Sequence, residues 1–420
     1  MSTAPSTAAT AHTLAADHDH PAVLALYEEL HRHPELSHAE HTTAARVAKE
    51  LRALGVEVTE NVGGTGVVGV LENGPGRTVL ARADMDALPV QEATGLAYAS
   101  RVDGLMHACG HDMHTAMLIG AAQALARGRQ HWSGTVLFVF QPAEETGEGA
   151  LAMRDDGLLK RFPCPDVLLA QHVSAGPAGL VAHVEGPVLA ASTSLDVVIN
   201  GRGGHGSRPD TTIDPIVIGA AVVGRVQSIV AREIAPRQSA VVTVGRFHSG
   251  TANNVIPATA ELGLSVRSAS GELQDQIVTA IRRIVTGECA AAGTLAEPEI
   301  RIVKSMPATV NDPRTARRIA QTHREMFGAA RIIDPGAAMG SEDFSELAVR
   351  PDGTSIPYHY WFLPSTLAPV WDAAPGTSLE EKFAQVPSAH SPHFAPDPAV
   401  LGQGVAAMTG AVLTELDQRT

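Results

Sequence analysis

The chain is poor in cysteine, with three in 420 residues, at positions 109, 164 and 289. An odd, widely spaced set excludes a disulfide-stapled scaffold and fits a reducing compartment. It also lacks a basic surplus: 31 Lys and Arg stand against 45 Asp and Glu, for a formal net charge of −14. With no basic block, nucleic acid is not an expected partner. No stretch approaches the ~20 apolar residues of a membrane span, so no membrane partner is expected. The opening "MSTAPSTAATAHTLAADHDH" lacks a basic start and an apolar run. It reads as a disordered tail over 1–20 rather than a signal peptide. These absences together predict a cytoplasmic protein. Internal repeats are absent too. A chain of this length usually divides, because single cores stop growing near ~250–300 residues.

What is present alternates between two patterns. Helical spacing runs through 21–37 and 39–55, where Ala45, Ala48, Leu51 and Leu54 share a face and Gly55 offers a stop. Short apolar runs at 66–71, 78–84, 135–142 and 166–173 read as buried strands, with a helix over 114–128 between two of them. Such alternation predicts an α/β domain whose sheet is mainly parallel, with helices on both faces. From about residue 190 the pattern becomes strand, helix, strand, strand, helix, strand, the plan of a ferredoxin-like α+β domain. The predicted organisation is a catalytic domain over 1–188 and 304–420, interrupted by an inserted domain over 189–303.

In open parallel sheets, ligands sit at the carboxyl ends of the strands. Four chemically suggestive stretches fall there. "LARADMDALP" ends on Asp84 and Asp86, "LFVFQPAEETGEG" on Glu144 and Glu145, and "LLAQHV" on His172. The fourth, "MHACGHDMHTAM" (106–117), sets Cys109 among His107, His111 and His114 at the head of a helix. A free cysteine is most often just a small buried hydrophobe. A nucleophilic Cys109 would need a histidine base, but would leave the glutamate pair and His172 without a task. A divalent metal held by thiolate, imidazole and carboxylate uses them all. Adjacent glutamates can divide labour, one on the metal and one as general base. "SAHSPHFAPD" (388–397) adds His390 and His393.

Taken in order, "ARADMDALP", "MHACGHDMHTAML", "QPAEET", "QHV", "GGHGSRPD", "NNVIPATAEL", "MGSEDF" and "HSPHF" resemble the successive motifs of a metallo-amidohydrolase family. That family holds hippurate hydrolases, N-acyl-amino-acid aminoacylases and auxin-conjugate hydrolases, within the aminoacylase/carboxypeptidase-G superfamily. The resemblance runs from about residue 23 to 417.

It implies two divalent ions per chain, zinc or manganese in the first place and cobalt or nickel as alternatives. Their ligands would be Cys109, His111, Glu145, His172 and His390, with His393 as the alternative to His390. Glu144 would be the general base. The wider superfamily has His-x-Asp where this chain has Asp84-Met85-Asp86, which puts Asp84 in doubt as a ligand and leaves Asp86 to orient one from behind. The inserted domain resembles a lid or dimerisation domain. It implies a homodimer in which His205 helps hold the oxyanion, while Asn254 and Arg267 contact the substrate's carbonyl and carboxylate. The implied reaction is hydrolysis of a small N-acyl amino acid to a carboxylic acid and a free amino acid. A dinuclear peptidase acting on short peptides is the enzymatic alternative, and a non-catalytic binding protein on the same fold is the other. The aromatic stretch 356–376 reads equally as acyl-pocket wall, through Tyr358, Tyr360, Trp361 and Trp371, or as a buried strand and loop.

Overall fold

Residues 78–84, 134–141 and 167–173 are apolar at both odd and even positions, so each can be buried on both faces. In the computed structural model, which describes residues 6–16 and 18–418, they form the centre of an eight-stranded sheet. Strands Thr78–Asp84, Gly134–Gln141, Val167–Pro177 and Tyr358–Thr366 run parallel to one another. Glu57–Val62 and Gly66–Asn73 extend one edge in antiparallel fashion. Val79, Ala81, Val136 and Phe138 face one large core with the helices, while Leu80, Leu137 and Leu168 are equally buried on the opposite parity. The four parallel strands therefore present their carboxyl ends along one edge of a sheet covered on both sides.

The chain divides into two compact units. The first takes the described residues up to Val188, Val310–Gly336, and those from Asp343 onward. It contains the large sheet. The second takes Leu189–Thr309 and Ala337–Glu342. Its four-stranded antiparallel sheet has the spatial order Ala240–His248, Thr259–Ser268, Ala191–Asn200, Glu299–Met306. Helices Pro215–Arg232 and Gly271–Ala291 complete the ferredoxin-like plan. The sequence reading returned the chain to the first domain at 304. The contacts place that return at Val310 and assign Ala337–Glu342 to the second unit, where Ala190 N–H donates to Gly340 O at 2.8 Å.

Two expectations need correction. Thr7–Ala16, read as tail, is a helix that buries Ala8, Ala11, Leu14 and Ala15 against the C-terminal helix Val400–Leu416; residues 1–5 and 17 of that tail lie outside the described residues. Its small alanines permit close helix packing but give no strong apolar periodicity, which hid it. Pro215–Arg232 is long and apolar enough to cross a membrane by length and composition. It instead lays Ile218, Val222, Val226 and Ile229 in the core of the second unit. The aromatic stretch, read equally as pocket wall or as buried strand and loop, contains the strand Tyr358–Thr366: Tyr358, Tyr360 and Trp361 are buried in the first unit, and Trp371 packs on Ala175 and Val386.

Beneath the strand Tyr358–Thr366 lies a chain of three buried histidines. His359 Nε2 meets His183 Nδ1 at 2.7 Å, His183 Nε2 meets His323 Nδ1 at 2.9 Å, and His323 Nε2 meets Ala407 O at 2.9 Å. The carbonyl can only accept, so with the three rings neutral all protons point one way, toward Ala407 O. Burial lowers all three pKa values: His323 to about 4, His359 to about 3, and His183 well below the usual range with repulsion from His323 adding to burial. Unfolded histidines take up protons near pH 6.5, while these do not. Their contribution is therefore complete above about pH 6.5 and is lost as pH falls toward 4. Urea unfolding of His359→Phe should show a shallower loss of stability across that window, by up to ~1.4 kcal/mol per pH unit. An unchanged slope would contradict the buried-neutral assignment.

Candidate metal centre

Two turns at the carboxyl edge of the large sheet deliver the polar groups. Gly110, at φ 82°, caps helix His111–Arg127. A Cβ there would fall 2.4 Å from Val173 Cγ2, so glycine lets the Cys109–His111 turn approach the strand carrying His172. After strand Gly134–Gln141, Ala143 adopts φ 50° and turns the chain so that Glu144 and Glu145 follow at once. The loop closes where Gly149 N–H donates to Ala143 O at 3.1 Å. Buried Glu40 accepts Ala143 N–H at 2.8 Å. Asp343 ties both loop ends, accepting from Gln141 Nε2 at 2.6 Å and from Ala150 N–H at 3.0 Å. The "MGSEDF" stretch thus acquires a part the sequence did not suggest.

The groups converge. Cys109 Sγ lies 3.6 Å from His172 Nε2. His111 Nε2 lies 3.6 Å from Asp84 Oδ2, 3.8 Å from Glu145 Oε1 and 4.0 Å from Glu144 Oε2. His390 Nε2 lies 3.4 Å from Glu145 Oε1. Atoms bound at ~2.0–2.3 Å to one tetrahedral cation stand roughly 3.3–3.8 Å apart, so the Cys109–His172, His111–Glu145 and His390–Glu145 spacings suit shared ions. The ring orientations agree. His111 Nδ1 is held by Asp86 Oδ1 at 3.1 Å, which leaves the buried Nε2 with no hydrogen-bond partner. His172 gives its Nδ1 proton to Val173 O, turning a bare Nε2 toward Cys109. Asp86 also accepts from Ser37 Oγ at 2.7 Å and from Glu145 N–H at 3.0 Å. Thiolate, imidazole and carboxylate donors, with an orphaned ring nitrogen among them, fit a divalent ion.

Electrostatics point the same way. Burial alone would push His111 down, yet Asp84 and Cys109 hold it well above the usual histidine range. Burial pushes the Cys109 thiol up to about 12, against the pull of His111. A cluster rich in buried acids thus takes positive charge from whatever is at hand, and a metal ion would supply it. Asp84 is different. Burial would raise its pKa, but Arg82, His111 and His114 hold it well below the carboxylate range.

Of the residues singled out by sequence, the first unit brings together Cys109, His111, Glu144, Glu145, His172 and His390, with Asp86 behind His111. His393 stays apart, giving its Nδ1 proton to Ala93 O at 2.8 Å. His107 is buried with neither ring nitrogen hydrogen-bonded, and burial lowers its pKa to about 4. In the second unit, exposed His205 pairs with Val255 across a two-stranded ribbon, and Asn254 O accepts Gly206 N–H at 2.8 Å. Ser207 N–H donates to His205 Nδ1 at 3.1 Å, so the proton sits on Nε2. Arg267 donates from Nη1 to Met339 O at 2.7 Å and lies 3.3 Å from Ser341 Oγ. Sequence reasoning assigned no role to Ser37, Glu40, His114 or Asp343. His114 stood in the quoted histidine stretch and Asp343 in "MGSEDF", whereas Ser37 and Glu40 carried no signal.

An α/β unit with a thiolate–imidazole–carboxylate cluster at its strand ends, joined in one chain to a ferredoxin-like unit, defines a class of metallohydrolase. The chain belongs to the peptidase family M20/M25/M40, whose model matches residues 80–374. It is 37% identical over 391 residues to thermostable carboxypeptidase 1 of Saccharolobus solfataricus, covering 92% of this chain and 93% of that one. It is 39% identical over 320 residues to hippurate hydrolase of Campylobacter jejuni, covering 75% and 82%. Among solved structures it resembles the YxeP protein of Bacillus subtilis, described as a dinuclear metal-binding peptidase. That match has a TM-score of 0.78 and 29% identity, over 95% of this chain and 99% of the other.

Cobalt(II) added to the metal-free protein should produce a thiolate-to-cobalt absorption band. Cys109→Ser should abolish it, while Cys164→Ser and Cys289→Ser should leave it intact. Persistence of the band in Cys109→Ser would remove the thiolate from the centre.

Proposed function

We propose that the chain hydrolyses the amide bond of N-acyl amino acids, using two divalent ions held by Cys109, His111, Glu145, His172 and His390. The observation that carries this reading is the convergence of those donors with buried Glu144 beside them, 4.0 Å from His111 Nε2. The similarity to a hippurate hydrolase supports it. Zinc and manganese both suit the donor set. When bound, the ions supply Lewis acidity, which polarises the carbonyl and acidifies water.

The chain's own groups do the rest. Glu144 takes the proton from the attacking water and returns it to the leaving amine. Asp86 keeps His111 oriented through Nδ1. His205, whose proton lies on Nε2, donates to the developing oxyanion, and Asn254 contacts the substrate carbonyl. Arg267 recognises the amino acid's carboxylate with the guanidinium edge not given to Met339. We assign the protein to the cytoplasm and to a homodimer formed through the second unit, with His205 reaching the centre of the partner chain. The similarity to a carboxypeptidase supports a second reading, cleavage of short peptides by the same machinery.

A panel of N-acyl amino acids and dipeptides, scored for free amino acid, separates the two readings. Glu144→Gln should retain two metal ions and lose roughly 10²–10⁴ of kcat or more, whereas Glu145→Gln should lose metal. The reverse pattern would overturn the division of labour. Mixing inactive His205→Ala with inactive Glu144→Gln should restore activity, because some heterodimers then hold one intact centre. If every mixture stays inactive, His205 does not act across the interface.

A further inference from the structure

Asp84 and His114 sit against the centre, yet their polar atoms are committed elsewhere. Arg82, buried at 1% exposure, donates from Nη1 to Asp84 Oδ2 at 2.9 Å and from Nε to Gln141 Oε1 at 2.9 Å. The other Asp84 oxygen meets His114 Nδ1 at 2.6 Å. On the far side of that ring, His114 Nε2 lies 2.8 Å from Val173 N. A backbone amide can only donate, so His114 Nε2 is the bare nitrogen and Nδ1 carries the proton that Asp84 accepts. The next peptide unit, Val173–Ser174, offers the Val173 carbonyl to His172 Nδ1. The two imidazoles lie 4.3 Å apart between ring centroids.

From this geometry we infer that Arg82, Asp84 and His114 are positioning residues that set the tautomer and orientation of His172 through the Val173 backbone, and that neither Asp84 nor His114 is a metal ligand. The inference rests on the proposed role of His172 at the centre. Arg82 keeps Asp84 ionised in a fully buried place. Ionised Asp84 can only accept, which fixes His114 as the Nδ1–H form. His114 in that form can only accept at Nε2, which anchors the His172–Val173 amide and so steadies the Val173 backbone, whose carbonyl in the next peptide unit faces His172 Nδ1. His172 must then protonate Nδ1 and present Nε2 to Cys109. The chain explains why an aspartate stands at the strand end: a histidine at 84 could not accept from Arg82 and His114 at once.

The test needs a readout that packing alone would not move. Side-chain nitrogen shifts of ¹⁵N-histidine protein, recorded without metal, report each tautomer. In the wild type His114 and His172 should both be Nδ1–H. His114→Phe keeps an aromatic ring but removes both links; His172 should then populate both tautomers. Cobalt affinity, read from the thiolate band, should fall ~10–100-fold, as is usual when a ligand loses its supporting group. Saturating cobalt should still reach two ions per chain. His114→Gln can still accept from Val173 and should recover part of that loss. Should His114→Phe fail to fold, Asp84→Asn, which is isosteric, carries the same expectation.

A fall to one ion per chain in Asp84→Asn would make Asp84 a ligand and overturn the inference. So would an unchanged His172 tautomer with unchanged cobalt affinity in His114→Phe. Absence of cobalt binding by the wild type would instead strike the proposed function, while the metal-free tautomers would still decide the relay.

Discussion

Everything at the site depends on one electrostatic constraint: several acidic groups share a nearly dry volume. Asp84, Asp86 and Glu144 are buried, with Glu145 half-buried and the Cys109 thiol beside them. Like charges brought this close in low dielectric cannot all stay ionised without a counter-charge. The fold supplies part of it. Arg82 neutralises Asp84, and His111, squeezed between Asp84 and Asp86, is pushed toward the charged form. What remains is a demand for positive charge around His111 Nε2, Glu145, His172 and His390, which a divalent ion meets better than a proton can. Removing one partner of such a buried pair typically costs about 3–5 kcal/mol, so the supporting residues are bound to the site as tightly as the ligand candidates.

The backbone accepts local strain to bring these groups together. Among the described residues, four non-glycines have positive φ, namely His38, Asn61, Ala143 and His390. Two of them adjoin the centre: Ala143 precedes the glutamate pair, and His390 is itself in the cluster. Such conformations persist only where surrounding bonds over-determine them. Here they do. Ala143 is pinned by Glu40 and by the closing amide of Gly149, and His390 N–H donates to Ala108 O at 2.7 Å. That last bond joins the return limb of the C-terminal segment directly to the Cys109 turn. Ligand candidates that lie 281 positions apart in sequence are thereby locked one residue from each other's backbone.

Much of this was legible in the sequence, and the reason is periodicity and address. The central strands are unbroken apolar runs, and the chemically active residues follow them directly, so their placement at one sheet edge needed only the parallel alternation of strand and helix. What could not be read was whatever depends on side chains distant in sequence. Glu57–Val62 is an edge strand of mixed polarity and gave no alternation to follow. Thr7–Ala16 packs through alanines, which carry little hydrophobic signal. Glu40 and Asp343 look like solvated acids until the turn they hold is seen. His183, His323 and His359 are spread over 176 positions, and nothing local marks them as one hydrogen-bonded chain.

The histidines make the limit concrete. His107, His111 and His114 lie in one eight-residue stretch, and their spacing alone gives all three a similar claim on a metal. Their differences are set by what the second ring nitrogen meets. His111 gives Nδ1 to Asp86 and keeps Nε2 for the cluster. His114 gives Nδ1 to Asp84 and spends Nε2 on Val173, so it has nothing left to coordinate with. His107 meets no partner at either nitrogen and behaves as a neutral buried ring. An imidazole has two nitrogens and one proton when neutral, so the partner on one side decides the chemistry available on the other. The partners here come from the strand ends at Asp84, Asp86 and Val173, outside the stretch itself. The role of each histidine is therefore a property of the sheet that the helix N-terminus abuts.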